Sequence, residues 1–185
     1  IGIASDSEAS LLDKLRQGLD ADMLITSGGV SAGDYDMVKD VLASEGEITF
    51  STVRMKPGKP LAFGHVGNAV FFGLPGNPVS VMATFYQFVL PAIRKMTGQQ
   101  ALEPLMIQAR SSQNLKKAPG RMEFQRGILQ RGSDGQWQVS TTGLQGSHLL
   151  SSMSRANCFI LLPAEDAGAT EGDLVTVQPF QDFST

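Results

Sequence analysis

The sequence holds one cysteine, Cys158, in 185 residues. No disulfide can close within such a chain, and a thiolate metal cluster is excluded. So little cysteine fits a reducing, cytoplasmic compartment. Cys158 lies in the apolar run NCFILLP, where a buried, inert thiol in a strand is the expectation. The two histidines, His65 and His148, have no metal-ligand neighbour, and no Ser/His/Asp or Cys/His arrangement can be read by spacing. Charge is also scarce: Asp, Glu, Lys and Arg make up 18 %, against a usual share of about 25 %. The net charge of −3 carries no basic face for general nucleic-acid binding, and no block of like charges marks a tail. No apolar run approaches the roughly 20 residues that span a bilayer, and no signal peptide is visible. Trp137 and the strand phenylalanines suit packing better than base stacking.

What is present is an ordinary globular composition, 42 % apolar, long enough for a genuine core. The first residue is Ile1, so the chain is expected to begin inside a longer polypeptide. Ser5 and Glu8 have capping-box spacing, and Leu12, Leu15 and Leu19 continue a helix over 7–19. DMLIT (22–26) reads as a buried strand, and residues 36–45 as a helix stopped by Gly46. ITFSTVRM (48–55) reads as a strand. LAFGHV and AVFFGL form a hairpin around Gly67-Asn68. Asn77 caps a helix that runs to about Met96, with a disturbance at Pro91 and a stop at Gly98. Strands separated by helices predict a layered α/β domain over 1–100 with a mostly parallel, mixed sheet. Beyond GQQALEP the pattern changes to short strands and Gly-rich turns, at LMIQARS, MEFQRGILQ, WQVSTTG, CFILLP and LVTVQPF. These predict a small all-β barrel or sandwich over 101–185, with one helical turn at LLSSMS.

Four stretches carry candidate chemistry. TSGGVSAGD follows a strand, where open α/β sheets bind ligands. Its glycines would bring backbone amides near phosphate oxygens, and Thr26, Ser27 and Ser31 offer hydroxyls. A Gly/Ser-rich turn explains the same residues. Neither GxxxxGKS nor GxGxxG is present. Asp34 and Asp36 suit either a hard cation such as Mg²⁺ or a helix start, and Asp6 shares that ambiguity. KPGKP presents Lys56 and Lys59 from a proline-stiffened backbone, as point charges for an oxyanion or as incidental solvated charges. GLPGNPVS is a strand–turn–helix corner that suits an anion at a helix start, or simply a good turn.

Taken together and in order, SGGVSAGDYD, KPGKP and GLPGNPVS resemble the MoeA family of molybdopterin molybdenumtransferases, which includes the E domain of gephyrin. GRMEFQRG, QGSHLLSSMSRAN and EGDLVTV resemble that family's C-terminal barrel. The resemblance implies the last two of four family domains: a MogA-like molybdopterin-binding domain and a β-barrel. It implies insertion of molybdenum from molybdate into adenylated molybdopterin, with AMP released and Mg²⁺ assisting. It places Asp36, Asp6, Lys56 and Lys59 as catalytic residues, and Asp36, Asp6 and Asp34 at the metal. Ser27, Gly28, Gly29 and Ser31 align with the pterin-phosphate loop, and Pro75, Gly76, Asn77 and Ser80 with the facing wall. It also implies a homodimer and a MogA-type adenylyltransferase as partner, with no nucleic acid and no membrane. The family's first strand and TGDE-like loop are missing here, and His148 stands where a glycine is expected. A C-terminal fragment, inactive alone, is therefore the expectation. A non-catalytic pterin-binding module or a scaffold is the alternative.

Overall fold

The computed structural model describes residues 1–30, 40–42 and 44–180. The chain divides into two compact units: Ile1–Val53 with Gly58–Phe85, and Arg54–Pro57 with Tyr86–Thr185.

The first unit is a mixed α/β layer. Helix α1 (Glu8–Gln17) opens it, capped by Ser7, whose extended backbone lets its hydroxyl accept from Ser10 N. The cap is thus Ser7 and not Ser5, because the helix begins at Glu8. Four strands follow: β1 (Met23–Ser27), β2 (Gly46–Thr52), β4 (Pro60–Val66) and β5 (Ala69–Leu74). Between the first two, residues 40–42, 44 and 45 are helical. The sheet order is β1-β5-β4-β2. The mixed character is as expected, but the parallel share is smaller than expected: β1–β5 is parallel, whereas β4–β5 and β2–β4 are antiparallel. Short connections dictate this, since a two-residue turn can join only antiparallel strands. That turn is Gly67-Asn68, with Gly67 at φ +57°. Gly46 begins β2 and does not cap the preceding helix; its lack of a Cβ accommodates the His65 backbone opposite. Leu15, Leu24, Val41, Leu42, Ala62, Val66 and Phe71 form the core.

The expected 48–55 strand breaks at Val53-Arg54. Its end is a separate two-residue strand, β3 (Met55–Lys56), paired with a strand of the second unit. After Asn77 the helix runs Pro78–Thr84, passes through a π-helical turn at Phe85–Val89 and continues as Leu90–Met96. Pro91 explains the irregular turn before it, since proline lacks the N–H that would bond one turn back. Gly98, at φ +77°, closes the helix, with Gln99 N bonding to Arg94 O.

The second unit is a closed β-barrel. Its strands are β6 (Ile107–Ser111), β8 (Met122–Arg131), β9 (Trp137–Thr141), β10 (Cys158–Leu162) and β12 (Leu174–Pro179). Their order is β10-β12-β6-β9-β8, and pairing of β8 with β10 completes the ring. The ten residues of β8 reach both neighbours: 123–127 pair with β10 and 127–131 with β9. A two-stranded ribbon joins β7 (Leu115–Lys116) to β11 (Gly168–Ala169), and a short helix spans Leu150–Arg155. Cys158 is fully buried among Ala109, Val139, Ile160 and Val177. No helix among the described residues is long and apolar enough to cross a membrane.

Candidate functional site

The candidate site in the first unit lies where two parallel strands end side by side. Register puts Ser27, the last residue of β1, opposite Leu74, the last of β5. TSGG and PGN therefore leave the sheet together, at the carboxyl ends where open α/β sheets take ligands. The loops are joined to each other. Gly28 N donates to Leu74 O at 3.0 Å, and Ser27 Oγ to Pro75 O at 3.2 Å. Gly28 and Gly29 sit at φ +93° and +72°, a region that L side chains rarely enter. A Cβ on Gly76 would lie 3.5 Å from Gly28 Cα, so the loops are in van der Waals reach.

Asn77 has an extended backbone, and its Oδ1 accepts from Val79 N at 3.3 Å. That bond leaves the two amide N–H donors of Asn77, and one lone pair of Oδ1, for a ligand. Pro75 and Ser80 are buried, and Gly76 is exposed. Asp6 is exposed ahead of α1. Ser31, Asp34 and Asp36 lie outside the described residues. Among the described residues no three His, Cys, Asp or Glu side chains gather as metal ligands.

The lysines of KPGKP belong to different units. Lys59 is exposed, and its carbonyl accepts from Val53 N at 2.8 Å within the first unit. Lys56 ends β3, in register with Glu123 of β8. Its Nζ stands 3.4 Å from Glu123 Oε1 and 3.3 Å from Oε2. Between them, Pro57 and Gly58 are buried, Gly58 at φ +102°, and the Lys56–Pro57 peptide is cis.

Sequence reasoning missed the polar interior behind Lys56. Glu123, Gln125 and Arg126 are all buried on β8. Arg126 Nε donates to Ser152 Oγ at 3.0 Å, and its Nη2 to Gly146 O at 2.9 Å, fixing the QGSHLLSS segment. Burial lowers the pKa of this guanidinium, and the charge of Glu123 offsets part of that effect. The available signal was the run MEFQR, which places charged and polar residues at successive positions of a strand where one face should be apolar. His148, the other departure in this segment, is exposed.

Comparison with known proteins agrees with this architecture. The family described as "Probable molybdopterin binding domain" matches residues 1–95, and "MoeA C-terminal region (domain IV)" matches 108–180. A molybdopterin molybdenumtransferase of Haemophilus influenzae is 46 % identical over 97 % of this chain and 45 % of its own length. Gephyrin of Dictyostelium discoideum is 33 % identical over 95 % of this chain and 28 % of its own. The crystal structure of a molybdopterin biosynthesis MoeA protein from Pyrococcus horikosii superposes with a TM-score of 0.80 at 26 % identity, covering 98 % of this chain and 43 % of that one. The chain thus spans less than half the length of these relatives.

Proposed function

Because the chain belongs to the MoeA family of molybdopterin molybdenumtransferases, we propose that it serves molybdenum cofactor biosynthesis by transferring molybdenum from molybdate into adenylated molybdopterin, with release of AMP. The observation that carries this reading is the pair of joined glycine loops at the carboxyl ends of β1 and β5. Gly28 and Ser27 hold the loops together. Gly29, Ser31, Gly76, Asn77 and Ser80 then take the pterin phosphate, with Pro75 shaping the wall. Lys56 and Lys59 hold the oxyanions as point charges. Asp36, with Asp6 and Asp34, is assigned to Mg²⁺, whose preference for carboxylate oxygen suits such a set; the ion would neutralise phosphate charge.

Two domains, 1–100 and 101–185, are part of the proposal, supported by family matches that stop at 95 and resume at 108. So are a cytoplasmic location, a homodimer and delivery of the adenylated substrate by a MogA-type enzyme. Since relatives are more than twice as long, residues 1–185 alone are proposed to be inactive, and turnover by them would overturn that part.

The test is Asp36→Asn in the native protein. Molybdenum insertion is expected to disappear while the far-ultraviolet circular dichroism stays unchanged. Normal insertion would sink the assignment. Tight pterin binding by the unmutated protein, with no molybdate-dependent chemistry, would instead make it a binding module.

A further inference from the structure

We propose that Glu123 sets how strongly Lys56 holds an oxyanion, by sharing its ammonium group; this rests on the reading of Lys56 as an oxyanion-holding residue. Glu123 is 4 % exposed, and a carboxylate this buried must be paired. Both of its oxygens face Lys56 Nζ, at 3.3 and 3.4 Å. Charge-assisted contacts of this type usually close to about 2.7–2.9 Å. The ammonium is therefore engaged without being capped, and the Lys56 side chain remains 47 % exposed.

The carboxylate itself is fixed. Gln125 Nε2 donates to Glu123 Oε1 at 3.2 Å and to Lys116 O at 2.9 Å. Backbone register also sets Lys56 directly against Glu123. An arriving oxyanion thus meets a lysine whose charge is already partly compensated, with a buried negative charge behind it. The same carboxylate that aims Lys56 competes with the anion for its ammonium group and favours release. Glu123 is a positioning residue that tunes affinity from the barrel side of KPGKP.

Glu123→Gln preserves size and leaves an acceptor for Nζ while removing the charge. In the native protein, molybdate binding measured by equilibrium dialysis is expected to tighten about fivefold, the scale of one unit-charge contact at about 4 Å in a water-like dielectric. In a Lys56→Ala background the same substitution is expected to change binding by less than about twofold, because the coupling runs through that lysine. Glu123→Asp, which withdraws the charge by one methylene, tightens binding in the same direction and serves if the glutamine variant does not fold. Unchanged or weaker molybdate binding in folded Glu123 variants, with binding lost in Lys56→Ala, overturns this proposal and leaves the role of Lys56 standing. Undiminished binding in Lys56→Ala overturns both.

Discussion

Two glycines of GLPGNP are glycine for different reasons. A Cβ on Gly73 would lie 2.9 Å from both Ala62 Cβ and Val30 Cγ1, inside the core of the first unit. Gly73→Ala is expected to cost about 1–3 kcal/mol through overpacking, read as a lower urea midpoint at unchanged slope. Gly76→Ala meets Gly28 Cα at an ordinary 3.5 Å and is expected to stay within about 0.5 kcal/mol. Cys158 offers a test by pH. Burial pushes its thiol from 9.0 up to about 12. The fold favours the protonated form, so its contribution to stability is intact below pH 9 and is lost as pH rises from 9 to about 12. At pH 8 the native thiol should react with a disulfide reagent only on unfolding, and the loss of stability above pH 9 should shrink in Cys158→Ala. Ser27, Gly28, Gly29, Pro75, Gly76 and Asn77 were legible, as loop residues at strand ends, because turn chemistry is local. Glu123 was not, because its partner lies 67 positions away in the chain and a carboxylate in a strand carries no address.

Among the elements, the Pro78–Thr84 helix depends on its cap. Asn77→Ala removes the acceptor for Val79 N and is expected to lower stability by about 0.5–2 kcal/mol, with Asn77→Asp restoring most of it. Thermal unfolding of the two variants checks this. The β4–β5 hairpin, the stop at Gly98 and the principal barrel strands were readable because each has a local marker: a two-residue turn, a glycine just past the helix, or regular punctuation by glycine. The break at Val53-Arg54 had no such marker. ITFSTVRM has uniform strand character, and propensity says nothing of which neighbour a strand will choose. The short β7–β11 ribbon was missed for a related reason, since two-residue strands show no periodicity. The Ser7 cap was misplaced by two residues because SDSE offers several capping side chains within one turn.

At the scale of the molecule, burial ranks the strands of the closed barrel. β10 is paired on both sides, and all five of its residues are buried. Hydrogen exchange is expected to be slowest at Cys158–Leu162 within the second unit and fast in the two-stranded β7–β11 ribbon; exchange at β10 no slower than at the ribbon would contradict the closed ring. The alternation of strands and helices followed by strands alone made the two architectures legible, but not the path of the chain between them. Residues Arg54–Pro57 belong to the second unit although the residues on either side belong to the first. The second unit is therefore not encoded by one uninterrupted stretch. Expressed from Tyr86 onward it would lack β3, leaving Met122 without its strand partner and Glu123 paired on the β10 side alone. Recombination that moved the barrel as a single genetic block would leave four of its codons behind in the neighbouring module.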